Sequence, residues 1–114
     1  MSDDLFQKII NREIPAEIVY ETDEILAFSD INAQAPVHIL IIPKERVATI
    51  NDLQAQHREM IGELFLVAAE IAQKEGMADD GYRVVMNCNQ AGGQAVFHIH
   101  LHLLGGRQMS WPPG

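Results

Sequence analysis

His98-Ile99-His100-Leu101-His102-Leu103-Leu104 alternates imidazole and aliphatic side chains. Successive side chains of an extended chain point to opposite faces. The stretch therefore predicts a strand with His98, His100 and His102 on one face and Ile99, Leu101 and Leu103 on the other. Core burial accounts for the aliphatic face. It does not account for the other, because three imidazoles in a row add little to packing and each needs polar partners.

Three readings compete for that face. A solvent-facing row that happens to be histidine is the plainest. Zinc is the second, since H-x-H on a strand can supply two ligands. At about 3.3 Å per residue, however, His98 and His102 stand roughly 13 Å apart along the backbone and do not easily converge on one ion. A zinc site would use two of them plus a ligand from elsewhere, for which His38 is the histidine candidate; no carboxylate in the flanking turns offers itself. Nucleophilic catalysis is the third. A neutral imidazole nitrogen is a competent nucleophile at phosphorus, and neighbouring imidazoles can fix its tautomer and pass protons to a departing group. The third reading leads, and no metal or other cofactor is called for.

Working outward from this strand, residues 82–88 read as its partner across the turn-rich Asn89-Gln90-Ala91-Gly92-Gly93. His38-Ile39-Leu40-Ile41-Ile42, between Pro36 and Pro43, reads as another strand, as do Ile18-Val19-Tyr20 and Ile25-Leu26-Ala27-Phe28 around a polar turn. Over residues 51–75 the apolar period lengthens to about 3.6, with Leu53, Met60, Ile61, Leu64, Val67, Ala68 and Ile71 on one stripe. This predicts the one long helix, opened by a weak capping box of Asn51 and Gln54 and closed by Gly76. A short helix, capped by Asp3 or Asp4, would run to about Arg12 with Leu5, Phe6, Ile9 and Ile10 inward, and stop at Ile14-Pro15. The class is α+β, a mostly antiparallel sheet covered on one face by helix.

The chain has 114 residues, enough for a single domain over residues 1–114 that buries roughly two-thirds of its unfolded surface. Sixteen acidic against eight basic residues give a formal charge of −8, which repels the phosphates of a long nucleic acid. A small phosphate ligand remains compatible, because backbone N–H groups and histidines can build a local anion site. No apolar run approaches the roughly 20 residues of a membrane span, and the acidic opening Met1-Ser2-Asp3-Asp4 is unlike a secretory signal. With Cys88 as its one cysteine, the chain is expected in a reducing compartment, the cytoplasm.

The heptapeptide His98-Ile99-His100-Leu101-His102-Leu103-Leu104 resembles the motif His-Φ-His-Φ-His-Φ-Φ, with Φ apolar, of the histidine triad (HIT) superfamily. Further likeness lies in residues 6–15, Ala27-Phe28-Ser29-Asp30-Ile31, Gln34-Ala35-Pro36-Val37-His38, Gly92-Gly93-Gln94, Gly105-Gly106-Arg107-Gln108 and the closing Trp111-Pro112-Pro113-Gly114. It runs through nearly the whole chain and is greatest toward the nucleotide-binding branch.

That resemblance implies a HIT-like fold, with a five-stranded sheet, one long and one short helix, and the sheet continued across a homodimer. It also implies a purine nucleoside phosphoramidase that hydrolyses the P–N bond of adenosine 5′-phosphoramidates, and acyl or lysyl adenylates, releasing AMP. By the same resemblance His100 would form a nucleotidyl-histidine and His102 would hydrogen-bond the phosphate and leaving group. The His98 carbonyl would hold the other nitrogen of His100, and His38 would continue the relay. Asn87, Gly93 and Gln94 would surround the phosphate, Asp30 would accept the ribose hydroxyls, and Phe6, Ile9, Phe28 and Ile31 would line the base pocket. Trp111 would act across the dimer interface. Ala95 departs from the pattern, standing where this branch often carries a hydroxyl on the leaving-group side.

A dinucleoside polyphosphate hydrolase and a non-catalytic nucleotide-binding protein remain alternatives. His57 matches nothing in the motif and reads as structural, and Cys88 as a small packed residue.

Overall fold

In the computed structural model, which describes residues 5–114, the chain begins with helix α1 (Leu5–Ile10). Strands β1 (Ile18–Glu21), β2 (Ile25–Ser29) and β3 (Val37–Pro43) follow. Two single 3₁₀ turns, Ile50–Asp52 and Ala55–His57, lead into helix α2 (Arg58–Lys74). Strand β4 (Tyr82–Val85), a one-turn helix α3 (Asn89–Gly92) and strand β5 (Leu101–Gly105) complete the fold. The five strands form one sheet in the order β1-β2-β3-β5-β4, and every neighbouring pair is antiparallel.

Strand alternation builds a core on each face. Ile25, Ala27, Ile39, Ile41, Leu101 and Leu103 pack against Leu64, Val67, Ala68 and Ile71 of α2. Leu26, Phe28, Leu40 and Ile42 point the other way and meet Phe6 and Ile9 of α1. Helix thus covers both faces at β2 and β3, where one covered face was expected. That is why these strands read as continuous apolar runs. Gly105 lets Met77 lie against β5, since any Cβ there would run into the Met77 side chain.

Several expected boundaries move, each for a local reason. Helix α1 ends at Ile10, well before Pro15, because Arg12 turns left-handed (φ 64°) while Glu13 N–H reaches back to Lys8 O at 2.8 Å. Leu5 is exposed rather than inward, and Ile10 is half-buried. The expected cap at Asp3 or Asp4 lies outside the described residues.

The long helix starts at Arg58, not residue 51. Thr49 and Asp52 form the capping box instead of Asn51 and Gln54. Thr49 Oγ1 accepts the Asn51 N–H while the Asp52 carboxylate takes the Thr49 N–H, and Leu53 then leaves in extended geometry. His57 is buried and accepts the Gln54 N–H at 2.9 Å on Nδ1, which closes the second turn; its Nε2 faces Glu45 at 3.2 Å. It is structural, as the sequence indicates. Gly76 follows α2 at φ 75°, the left-handed position of a helix stop.

The last two strands are shorter than expected. β4 stops at Val85, so Asn87 lies beyond the ladder instead of within the strand expected over residues 82–88. β5 starts at Leu101, because Ile99 N–H bonds Val47 O at 2.8 Å instead of joining β3. Of the three motif histidines only His102 belongs to the sheet. His98 and His100 lie on the segment that leads into it.

Candidate functional site

The site forms where that segment meets the α1 face of β3. His38 shares strand parity with Leu40 and Ile42, and Leu40 pairs with His102 across the β3–β5 ladder. His38 and His102 are therefore diagonal neighbours, with His38 Nε2 3.0 Å from His102 Nδ1. Asp30 follows β2 and is held by its own N–H on the His38 carbonyl at 2.9 Å. Its Oδ1 accepts the Asn32 N–H at 2.9 Å, and its Oδ2 stands 3.4 Å from His38 Nε2.

Backbone groups decide where the protons sit on three of the four rings, and His38 passes the choice on to His102. Gln34 N–H donates to His38 Nδ1 at 3.0 Å, so neutral His38 carries its hydrogen on Nε2. That N–H donates to His102 Nδ1, which leaves the His102 hydrogen on Nε2. His100 donates from Nδ1 to the His98 carbonyl at 2.8 Å and so keeps a lone pair on Nε2. His98, fully buried, donates from Nε2 to the Pro43 carbonyl at 2.6 Å, and among the described residues its Nδ1 has no hydrogen-bond partner. The His98 ring thus pins the segment to the end of β3, while its carbonyl orients His100.

Burial keeps the rings neutral. It lowers the pKa of His100, His98 and His38 below the ordinary 6.5, against an opposing pull from Asp30 on His100 and His38. His102 is pushed down to about 4 by burial first, then by His100 and His38, with Asp30 again opposing. Near pH 7 the cluster therefore offers a bare Nε2 on His100 beside an Nε2–H on His102, their ring centroids 4.9 Å apart. That pairing can attack an electrophile and hydrogen-bond what leaves it. Phe6 closes one side, its ring edge-on to His100 at 5.0 Å and to His98 at 5.7 Å.

Donor atoms of Asp30, His38 and His102 lie within 4.8 Å of one another, near enough to converge on an ion. The 3.0 Å spacing of the two imidazoles also suits a direct hydrogen bond between them. The carboxylate in this group was not legible as a neighbour in the sequence.

Of the other expected residues, Phe6, Ile9, Phe28, Asp30 and Ile31 line one groove of about 130 Å³, together with Leu5, Ala16 and Leu40. Ile31 stands wholly exposed at its rim. Asn87 is half-buried after β4, and Gly93 (φ 87°) and Ala95 lie exposed on the loop after α3. Gln94 is buried, its amide occupied by backbone: Nε2 donates to Ala48 O at 2.7 Å and Val96 O at 3.1 Å, and Oε1 accepts the Asn89 N–H at 2.8 Å. It ties the loop to the chain after β3. Trp111 is 82% exposed. Sequence reasoning missed the Gln34 N–H and the Pro43 carbonyl, since backbone groups carry no residue-type signal.

The HIT domain profile matches residues 11–109, a span that includes the whole histidine cluster. This chain belongs to the HIT family. The purine nucleoside phosphoramidase of Escherichia coli (strain K12) is 56% identical over 105 residues, covering 92% of this chain and 88% of that protein. A 14 kDa zinc-binding protein of Zea mays is 54% identical over 112 residues, covering 96% and 87%. Among solved structures, a HIT family hydrolase from Legionella pneumophila Philadelphia 1 superimposes with a TM-score of 0.95 at 56% identity, covering 96% of this chain and 98% of that one. In this HIT domain, among the described residues, no helix is long and apolar enough to cross a membrane.

Proposed function

We propose that this HIT domain is a purine nucleoside phosphoramidase that releases AMP through a nucleotidyl bond on His100. The observation that carries the reading is the 2.8 Å bond from His100 Nδ1 to the His98 carbonyl, which leaves Nε2 unprotonated and in a fixed direction. His100 Nε2 attacks the α-phosphorus as the P–N bond breaks, and the departing amine takes up a proton. Water then cleaves the P–Nε2 bond and AMP leaves. His102 Nε2–H bonds the phosphate and leaving group, and His38 fixes the His102 tautomer.

Asp30 accepts the ribose hydroxyls, and Phe6, Ile9, Phe28 and Ile31 hold the base in the 130 Å³ groove. Asn87 and the backbone at Gly93 face the phosphate, while Gln94 holds their loop in place. The test is AMP release from adenosine 5′-phosphoramidate in chelator-treated buffer. Turnover indifferent to chelator supports the imidazole mechanism, and turnover restored only by zinc contradicts it. Faster cleavage of a dinucleoside polyphosphate would favour the alternative hydrolase.

Ala95 sits on the leaving-group side without a hydroxyl. Ala95→Ser should raise kcat on an alkyl phosphoramidate about tenfold, the equivalent of one added hydrogen bond. An unchanged rate would remove position 95 from the account.

The domain works as a cytoplasmic homodimer in this reading. β4 is an edge strand whose free side can pair with its copy, and α2 exposes Phe65 and Leu66. Arg83 of β4 donates to the Ser110 carbonyl at 2.9 Å, which ties the tail carrying Trp111 to that edge. Sedimentation at micromolar concentration should give twice the chain mass; a monomer would count against the interface and against Trp111 acting across it.

A further inference from the structure

The His38–His102 hydrogen bond has room for one proton. When His102 takes a second proton, on Nδ1, two N–H groups face each other across 3.0 Å. His38 cannot yield by changing tautomer, because its Nδ1 already accepts the Gln34 N–H. The acceptor left to it is Asp30 Oδ2, 3.4 Å from the same Nε2. We propose that Asp30 is a positioning residue for proton delivery: it takes the His38 N–H whenever His102 becomes an imidazolium, so that His102 can protonate a departing amine.

The proton count closes on this scheme. Imidazolium His102 gives its Nε2 hydrogen to the leaving nitrogen as the P–N bond breaks and the bond to His100 forms. The water that attacks phosphorus gives a proton back to His102 Nε2 as AMP is released. The Nδ1 hydrogen stays in place throughout, and the Asp30 carboxylate balances its charge. The groups facing His102 are His100 on the preceding segment, His38 on β3 and Asp30 after β2; of these Asp30 alone favours the charged ring. His100 and His38 oppose it, so without Asp30 the imidazolium would be rarer still.

This inference rests on the phosphoramidase reading and separates from it by leaving group. Two AMP derivatives are compared, an alkyl phosphoramidate whose amine must be protonated and a 4-nitrophenyl ester whose phenolate needs no proton. A carboxylate that served only the ribose would lower both rates alike when changed to Asn. We expect Asp30→Asn to lower kcat on the phosphoramidate by about tenfold to a hundredfold more than on the ester, at or below the lower end of a full general-acid contribution because Asp30 acts through His38 and His102. The fall in phosphoramidate kcat with rising pH should also move to lower pH in the variant.

Asp30→Glu, which keeps the charge, should restore most of the difference. Asn preserves an oxygen for the Asn32 N–H, so thermal melts of the two variants should agree. Equal losses on both substrates with an unmoved pH profile would overturn the proposal, as would a change confined to KM. Wild-type enzyme that cleaves the ester but not the phosphoramidate would overturn both this inference and the reading beneath it.

Discussion

His100→Ala should lower AMP release by on the order of 10⁴-fold or more while leaving nucleotide binding within about threefold, as expected when a covalent nucleophile is lost and ground-state contacts stay. The variant removes the Nε2 lone pair that the His98 carbonyl and surrounding burial hold ready. His102 cannot substitute for it, because its Nε2 carries the hydrogen and its Nδ1 is engaged by His38. Initial rates and equilibrium dialysis with AMP separate the two effects. A loss below about tenfold would mean that attack on phosphorus comes from elsewhere, such as a water activated in the cluster.

The same ring predicts the pH behaviour. Burial lowers the His100 pKa below 6.5, so its reactive neutral form persists as pH falls past that value, and kcat/KM on the aryl ester should hold near pH 6. Stability responds to the same lowered pKa values in the opposite way. The unfolded chain takes up protons from pH 6.5 downward, while folded His102 resists until about 4. Melting temperatures should therefore fall as pH drops through that window, and flat melts between pH 7 and 4.5 would contradict neutral burial of the cluster.

Phe6→Ala should cost about 3–5 kcal/mol of stability, the usual range for deleting a buried aromatic ring. Phe6 is 2% exposed and packs edge-on against Phe28 at 5.6 Å as well as against His98 and His100. It is the main anchor of a six-residue helix, so the loss should appear first as local release of α1 from the sheet. Water would then reach His98 and His100, and kcat should fall even at temperatures where the protein stays folded. Hydrogen exchange should report early opening of α1, while β3 and β5 stay protected. A variant with wild-type melting and wild-type kcat would show that α1 neither stabilises the sheet nor shields the site.

Strands β2 and β3 were legible because Pro36, Pro43 and the polar residues 21–24 bracket apolar runs that a covered sheet explains, whereas β1, largely exposed, was marked by the β-branched and aromatic residues Ile18-Val19-Tyr20. The start of α2 was not. The apolar stripe of residues 51–75 is continuous, and the Thr49–Asp52 bond that closes a separate turn competes with it through side chains whose geometry the pattern does not encode. The histidine alternation correctly grouped three rings, yet two lie outside the ladder, since the Ile99 N–H finds Val47, a partner 52 residues away by number, 99 against 47. Within the site, residue types announced the imidazoles but not their tautomers, which Gln34 N–H and the His98 and Pro43 carbonyls set. Nothing in the residues around Asp30 announces that it neighbours His38. Only the β2–β3 pairing brings its carboxylate to His38.

The bond between His100 and phosphorus is the central step of the proposed reaction. Enzyme mixed rapidly with an adenosine 5′-phosphoramidate, quenched within the first turnover under conditions that preserve the acid-labile P–N bond of a nucleotidyl-histidine and digested, should yield a peptide heavier by one adenylyl group. Fragmentation should place that mass on His100, and it should disappear in the alanine variant. An adduct on His102 or His98, or active turnover with no adduct at any time point, would contradict the central claim.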